Sequence, residues 1–221
     1  MVVQIVALGG WADRPLQDYV LGLTGVPRPR LLFVATASRE DARATLTFYD
    51  LFRDRAEVSH VEFFPWPPPD LRERTLASDA VWVAGGNTAN MLAVWRVHGF
   101  DAVLREAWEA GVLLTGWSAG AICWFEAGVT DSFGPQLEGM RDGLGLLPGS
   151  ACPHYDGEEL RRPRYAELVR DGFPSGIAID DDVGVRFEGT ELVEVVSGRQ
   201  GATAYRVSDA GETALASRAL V

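Results

Sequence analysis

The segment LLTGWSAGAICW, residues 113–124, places a single serine at the end of an apolar run and surrounds it with small residues. Gly116, Ser118 and Gly120 fit the Gly-x-Ser-x-Gly pattern, in which a sharp strand-to-helix turn exposes a serine hydroxyl at the edge of a sheet. The helix N-terminus that follows offers free N–H groups to a developing oxyanion, and the Ala119 N–H is one of them. The spacing predicts that Ser118 is a nucleophile; the alternative is a tight turn whose serine only caps the helix.

A serine hydroxyl needs a base that takes its proton, and the chain has three histidines. His60 lies inside a strand pattern and His98 at the end of a helix pattern, which favours structural or exposed positions for both. His154 lies in the loop GSACPHYDGEE, after a proline and before a helix pattern, and loops of this kind often carry catalytic groups. We therefore expect His154 to be the base, with a solvated loop histidine as the alternative.

Three consecutive aspartates, Asp180 to Asp182, end the apolar run GIAI. The acid of a triad orients the imidazole from its far side, and in an extended chain Asp181 points away from both of its neighbours. The residues alone leave open which aspartate takes this role. The rival hypothesis is a metal site, in which Asp180 and Asp182 bind Mg²⁺ or Ca²⁺ for phosphate chemistry; we expect no metal and no cofactor.

The stretch Gly85-Gly86-Asn87-Thr88 follows a further apolar run and opens a helix pattern. Its backbone N–H groups are candidates for the second arm of an oxyanion hole, and Asn87 and Thr88 for contacts with substrate. A glycine-rich turn in which Asn87 or Thr88 caps the helix is compatible with both roles.

Three arginines follow His154 closely: Arg161, Arg162 and Arg164. A guanidinium at this place would hold a substrate carboxylate through two parallel hydrogen bonds; otherwise the arginines form the solvated face of a helix over 158–171. Cys123 and Cys152 are expected to be buried thiols, because Cys152 and His154 have no partner pair that would complete a zinc site.

The elements that must position these residues alternate along the chain. Apolar runs at 2–8, 30–38, 57–64, 79–87 and 111–117 predict strands. Helix patterns follow at 88–98 and at 101–110, and Asp101 is the predicted cap of the second. A further helix is predicted to start from a Ser38–Asp41 capping box and to run to about Arg55. The segment AGAICWFEA is predicted to continue from Ser118 as a helix. Strands that are apolar throughout are typical of a parallel sheet covered on both faces. After residue 172 the alternating pattern predicts antiparallel strands, and the absence of a linker predicts one domain over 1–221.

Composition narrows the classes of function. The 221 residues are 47% hydrophobic, with a net charge of −11 and a pI of about 4.7, a balance that disfavours nucleic acid and anionic lipid as partners. All 20 basic residues are arginine, which excludes a Schiff-base or Walker lysine. We find no signal-peptide pattern and no run that would span a membrane, and two cysteines make no disulfide framework, so we expect a cytoplasmic protein.

Four segments of the chain, VAGGNTANML, GWSAGAICW, CPHYDGEE and GIAIDDDVGV, resemble the peptidase E (aspartyl dipeptidase) and cyanophycinase family of serine peptidases and occur in the same order. The resemblance runs from the first strand to about residue 190. It implies a flavodoxin-like, class I glutamine amidotransferase-like α/β fold: a three-layer sandwich whose mostly parallel sheet has antiparallel C-terminal strands. It also implies a triad of Ser118, His154 and Asp181, with the amides of Gly86 and Ala119 as oxyanion donors.

The chain departs from this family at the acid, where the family carries glutamate and this sequence has Asp181. Aspartate is shorter by one C–C bond, about 1.5 Å, so either the backbone lies closer to the imidazole or His154 is held less well. In peptidase E an arginine after the histidine reads an aspartyl side chain, and Arg161 or Arg164 would match it. We expect a dipeptidase- or exopeptidase-type hydrolase of small peptides, without extending the strict preference for Asp-X dipeptides. The alternative is a non-catalytic or differently specific ligand-binding homologue.

Overall fold

A computed structural model describes residues 2–220 of the chain. The helices are α1 (Arg14–Leu23), α2 (Ala42–Phe52), α3 (Leu71–Leu76), α4 (Thr88–Val97), α5 (Phe100–Glu109), α6 (Ala119–Ile122) and α7 (Arg161–Arg170). The first seven strands are β1 (Gln4–Leu8), β2 (Arg30–Val34), β3 (Glu57–Val61), β4 (Ala80–Val83), β5 (Leu113–Trp117), β6 (Phe125–Thr130) and β7 (Glu138–Met140). The remaining strands are β8 (Leu147–Cys152), β9 (Gly176–Ile179), β10 (Val183–Glu188), β11 (Glu191–Ser197), β12 (Ala204–Ser208), β13 (Gly211–Ala214) and β14 (Arg218–Ala219).

The larger sheet has eight strands in the order β14-β11-β10-β1-β5-β4-β2-β3. Strands β1, β5, β4, β2 and β3 are all parallel, whereas β10 pairs antiparallel with β1 and β11 antiparallel with β10. This confirms the expected α/β fold with a mostly parallel sheet and antiparallel C-terminal strands.

Both faces of this sheet are covered where the parallel strands β1, β2, β4 and β5 are largely apolar and buried. On one face Leu8, Phe33 and Trp82 pack with Phe48 and Phe52 of α2 and with α1. Successive residues point to opposite faces, so the neighbours of these strand residues meet α4 and α5 on the other side: Ala7, Val34, Val81 and Val83 share a buried cluster with Leu92, Trp95 and Leu104. The central strand β1 is therefore inaccessible except at its ends.

A second sheet of six strands has the order β13-β12-β9-β8-β6-β7. One face contributes Phe125, Leu147 and Ile179 to the cluster that also contains α4 and α5, and the other is covered by Tyr165 and Val169 of α7. This sheet corrects the helix predicted over AGAICWFEA. Helix α6 ends at Ile122 and the chain enters β6 at Phe125, because that strand gains pairing with both β7 and β8.

Two helix starts also differ from the prediction. Thr36–Ser38 forms a separate 3₁₀ turn, and α2 begins after Asp41, whose carboxylate accepts a hydrogen bond from the Arg43 N–H. Helix α5 begins after Gly99, which takes the left-handed conformation, so Asp101 lies inside the first turn rather than at the cap.

The carboxyl ends of the parallel strands meet at one edge of the larger sheet. Gly9-Gly10 follows β1, Gly85-Gly86 follows β4 and Ser118 follows β5. In open α/β sheets ligands bind at this edge, where the direction of strand addition reverses; here β1 lies between β5 and the antiparallel β10. Within residues 2–220 no helix is both long and apolar enough to cross a membrane.

Candidate active site

Ser118 occupies a sharp turn between β5 and α6. Its backbone has φ 56° and ψ −113°, a region that side-chain-bearing residues rarely adopt and that persists only where the surroundings enforce it. The enforcing contacts are close. A Cβ atom on Gly116 or Gly120 would lie 2.5 or 2.3 Å from the carbonyl oxygen of Val83 on the neighbouring strand. Small residues at these two positions are therefore required for the turn.

The hydroxyl of Ser118 does not cap the helix. The Ser118 carbonyl accepts hydrogen bonds from Ala121 and Ile122, at 2.9 and 3.0 Å, but its side chain accepts none from α6. Within the described residues the hydroxyl makes no hydrogen bond, so it does not contribute to the fold through one.

Ser118 and His154 are both anchored by backbone hydrogen bonds at the carboxyl end of β1. The Ser118 N–H donates to the Leu8 carbonyl at 3.3 Å, and the His154 N–H donates to the next carbonyl, that of Gly9, at 3.2 Å. The adjacent Tyr155 N–H donates to Ile179 at 3.1 Å, which ties the histidine loop to the end of β9. No hydrogen bond joins the Ser118 hydroxyl to the imidazole, a contact that in ligand-free hydrolases often tightens only with substrate.

The other two histidines lie elsewhere in the fold. His60 is on the edge strand β3, with Nδ1 2.9 Å from the Tyr49 hydroxyl. His98 follows α4 and packs its ring against Phe63. His154 is thus the histidine at the edge of the sheet that carries Ser118.

Asp181 faces His154 from the side of the imidazole that carries Nδ1. The ring Nδ1–H donates to Asp181 Oδ1 at 2.7 Å. The carboxylate lies in a narrow slot between two glycines: a Cβ atom on Gly10 would be 2.1 Å from Oδ1, and one on Gly157 would be 2.0 Å from Oδ2. The shortened acid therefore still reaches the imidazole, so the structure does not have the weaker hold on His154 that was one of the two expected consequences.

We predict that Gly157→Ala lowers kcat/KM by about 10²-fold, because the added methyl group displaces the Asp181 carboxylate by roughly 1 Å. Gly157 has no positive φ that would add backbone strain. Gly22→Ala is the matched control, since a Cβ there meets no other atom within 4 Å. Steady-state kinetics of both variants test the slot, and full activity of Gly157→Ala would contradict it.

The neighbours of Asp181 point in other directions. Asp180 is buried, and its Oδ2 accepts a hydrogen bond from the Thr203 N–H at 3.0 Å; burial raises the pKa of this carboxyl. Asp182 accepts from Arg199 Nε at 3.1 Å. Among the described residues no group of three acidic, histidine or cysteine side chains is arranged to hold a metal ion.

The loop Gly85-Gly86 lies against Ser118. A Cβ atom on Gly85 would be 3.1 Å from Ser118 Cβ, and one on Gly86 would be 2.2 Å from the Ala37 carbonyl oxygen. Gly86 has φ 136°, a conformation natural to glycine. Neither the Gly86 nor the Ala119 N–H donates to another described residue. Their assignment as oxyanion donors stays a prediction.

Asn87 and Thr88, expected to contact substrate, make structural contacts at the start of α4. Asn87 Oδ1 accepts from the Asn90 N–H at 2.8 Å, and its Nδ2 donates to the Ser132 carbonyl at 2.9 Å. Thr88 is buried, with its hydroxyl 3.4 Å from Thr130 Oγ1. Asn87 therefore caps the helix, and any contact with substrate stays a prediction.

The two arginines expected to read a substrate carboxylate already have partners. Arg161 is 3% exposed; its Nε donates to Glu158 at 2.7 Å and its Nη1 to the Val129 carbonyl at 3.0 Å. Arg164 donates to Glu167 at 2.6 Å and lines an open groove of about 590 Å³ between α7 and residues 135–137. An acidic substrate side chain would have to displace an internal carboxylate from either guanidinium.

Both cysteines are buried free thiols, as expected. Burial raises the pKa of Cys152 to about 12 and that of Cys123 well above its ordinary value. Because the thiolate is the nucleophile and the metal ligand, neither side chain competes with Ser118 for a chemical role at neutral pH.

Sequence reasoning missed four residues around the acid: Gly10, Asp156, Gly157 and Arg199. Gly9-Gly10 at the end of the first strand and the pair Asp156-Gly157 directly after His154 were visible signals. No sequence signal indicated Arg199, because this residue lies in the distant loop between β11 and β12.

Comparisons with known proteins agree on one family. Residues 8–195 match the sequence profile of Peptidase family S51. The chain is 44% identical over 212 residues to a Bacillus subtilis protein named uncharacterized peptidase YgaJ, covering 92% of this chain and 91% of that protein. It is 29% identical over 141 residues to peptidase E of Shewanella denitrificans, covering 60% of each.

Two solved structures share the fold. A peptidase from an acI-B1 actinobacterium superposes with a TM-score of 0.72 at 17% identity, covering 98% of this chain and 95% of that chain. A putative peptidase E from Listeria monocytogenes superposes with a TM-score of 0.65 at 18% identity, covering 87% and 98%. At these identities the two superpositions establish the arrangement of strands and helices.

Proposed function

This chain belongs to peptidase family S51 and is a serine peptidase, and from that premise we propose that it cleaves small peptides through a triad of Ser118, His154 and Asp181. The observation that carries the proposal is the 2.7 Å hydrogen bond from His154 Nδ1–H to Asp181 Oδ1. The backbone of this histidine is bound to Gly9, the residue after the Leu8 carbonyl that binds the Ser118 N–H. The three residues are far apart in sequence, and the backbone anchors of Ser118 and His154 at the end of β1 support the proposal that they act together.

The proposed reaction uses the geometry of this hydrogen bond. Because Nδ1 carries the proton that Asp181 accepts, Nε2 is the nitrogen that takes the proton from the Ser118 hydroxyl. Ser118 Oγ then attacks the peptide carbonyl, and the Gly86 and Ala119 N–H groups receive the developing oxyanion. His154 returns the proton to the leaving amine. It then takes a proton from a water molecule, which attacks the acyl ester, and gives that proton to Ser118 Oγ as the ester bond breaks and the acid leaves.

The substrate class in this proposal is the small peptide, cleaved by a dipeptidase- or exopeptidase-type reaction, without a strict requirement for an N-terminal aspartate. Glu158 engages Arg161 and Glu167 engages Arg164, so the two candidate readers of an acidic side chain are already neutralised. We therefore propose that neutral N-terminal residues are accepted at least as well as aspartate.

A panel of dipeptides that differ only in the N-terminal residue, with Asp-X included, tests this specificity. Ser118→Ala serves as the blank, and release of the C-terminal amino acid is measured. Hydrolysis of neutral dipeptides at rates equal to or above those of Asp-X is the expected result, whereas cleavage confined to Asp-X would contradict the specificity.

The non-catalytic alternative is tested separately, by labelling with a fluorophosphonate. An activated serine forms a covalent adduct at a rate that depends on its base. Mass spectrometry should place the adduct on Ser118, and a protein that stays unlabelled while it binds peptide tightly would favour the alternative.

A further inference from the structure

The aspartate turn between β9 and β10 is held by two side chains outside it. The Asp181 N–H donates to Asp156 Oδ1 at 2.8 Å, and the Asp181 carbonyl accepts from Arg199 Nη2 at 3.1 Å. Both backbone polar groups of the residue that faces His154 are therefore fixed by side chains, rather than by a strand partner. The turn is a place where the backbone would otherwise be free to move.

The same two side chains also bind each other. Arg199 Nη2 donates to Asp156 Oδ2, and Arg199 Nε donates to Asp182 Oδ2 at 3.1 Å. Burial alone would raise the pKa of Asp156, but the hydrogen bond from Arg199 and that from the Asp181 N–H outweigh it and hold this pKa below its usual value. The pair therefore stays ionised and closes a ring of contacts around the turn, which we call the Asp156–Arg199 clamp.

The Asp156–Arg199 clamp is linked to His154 in two ways, along the chain and through the aspartate turn. Asp156 lies two residues after His154, so it joins the histidine loop directly to the backbone of Asp181. Asp182 has φ 61°, in the left-handed region, and its carboxylate accepts a hydrogen bond from Arg199. Because an aspartate side chain has only two torsions, the backbone position of Asp181 largely determines where Oδ1 lies.

We propose that Asp156 and Arg199 are positioning residues, which hold the backbone of Asp181 so that its short side chain reaches His154 Nδ1. The inference rests on the proposed triad. Neither residue touches the reacting atoms, and both act through Asp181.

If Asp156 and Arg199 served only to stabilise the fold, removing Arg199 would lower the thermal unfolding midpoint. The side chains of Arg199 and Asp156 are 45% and 31% exposed, and ion pairs that open to solvent contribute little to stability. Removing Arg199 should thus leave the thermal unfolding midpoint nearly unchanged while the reaction slows.

We predict that Arg199→Ala lowers kcat by about 10- to 10²-fold, the effect of a misplaced catalytic group, with KM changed by less than about threefold because substrate contacts are untouched. Asp156→Asn, which keeps an oxygen acceptor for the Asp181 N–H, should retain more activity than Asp156→Ala. Arg218→Ala is the matched control, since Arg218 also forms an exposed ion pair, with Glu194 on β11. Unchanged kcat in Arg199→Ala would overturn the inference.

A double-mutant cycle separates positioning from an independent role. In an Asp181→Ala background, Arg199→Ala should cost less than about twofold, because its only route to the reaction is already gone. A full additional loss in that background would overturn the inference.

A readout that needs no turnover is the low-field proton resonance of a histidine Nδ1–H bonded to carboxylate. It should be present in the wild-type protein and in Arg218→Ala, absent in Asp181→Ala, and lost or broadened in Arg199→Ala. A resonance that is unaltered in Arg199→Ala would overturn the clamp while leaving the triad intact. A Ser118→Ala variant that still cleaves peptide would instead overturn the triad itself.

Discussion

We expect Ser118→Ala to lower kcat by about 10⁶-fold for every peptide that the wild-type protein cleaves, the loss seen in other serine hydrolases without their nucleophile. The expected loss is large because the remaining groups, His154 and the N–H groups of Gly86 and Ala119, have no hydroxyl to activate. The turn at Ser118, with φ 56°, is packed through Gly116 and Gly120 and not through the hydroxyl, so the fold should survive the change. Active-site titration and single-turnover kinetics with peptide measure the loss.

The control for this variant is Ser208→Ala at the end of β12, where the serine hydroxyl makes only a 3.4 Å hydrogen bond to the Gly211 carbonyl. It should keep full turnover. Circular dichroism and thermal unfolding must show that Ser118→Ala is folded. A folded Ser118→Ala that retained wild-type hydrolysis would refute the nucleophile, whatever the position of the histidine.

The sequence predicted the strand-to-helix turn at Ser118 better than it predicted the elements that follow the turn. The Gly-x-Ser-x-Gly spacing has a local cause, since Gly116 and Gly120 both pack on one carbonyl of β4. Its geometry can be inferred without a tertiary structure. Similarly, the strands that precede Ser118 and Gly85 are apolar on both faces, which is enough to predict a buried parallel sheet.

The helix predicted after Ser118 failed for a physical reason. The segment from Ala119 to Ala127 is almost entirely buried, so it shows no polar face that would reveal a period of 3.6 or 2 residues. Whether it continues as a helix or becomes β6 depends on β7 and β8, which lie further along the chain and were not predicted. Pairing with β7 and β8 therefore determines that this segment becomes a strand, which the local sequence pattern does not predict.

The surroundings of the acid were hidden for a similar reason. The sequence gives Asp181 one methylene fewer than the glutamate of the resembling family, and nothing local tells how the gap is closed. Gly10 from the segment after β1, Gly157 from the histidine loop and Arg199 from the loop after β11 each contribute one contact. Three separate chain segments must therefore come together to form the slot that holds the Asp181 carboxylate.

Asp181→Asn is expected to lower kcat by about 10⁴-fold, the size seen when a triad aspartate elsewhere becomes an amide. The amide is the same shape as the carboxylate, so it fits the slot between Gly10 and Gly157. It offers a neutral oxygen or an N–H to His154 Nδ1, and in the second case it stabilises the tautomer whose Nε2 already carries a proton. The base is then unable to accept the proton of Ser118.

Asp181→Glu distinguishes the slot from a simple requirement for charge. It keeps the carboxylate but adds a methylene. The slot has no room for it, because even a Cβ atom on Gly10 or Gly157 would lie about 2 Å from a carboxylate oxygen of Asp181. Neither Gly10 nor Gly157 has a side chain that can be trimmed to make room, so the glutamate must leave the slot and its hydrogen bond to His154 at 2.7 Å. We expect kcat to fall by at least about 10²-fold, and Asp181→Glu with wild-type kinetics would show that the narrow slot does not set the identity of the acid.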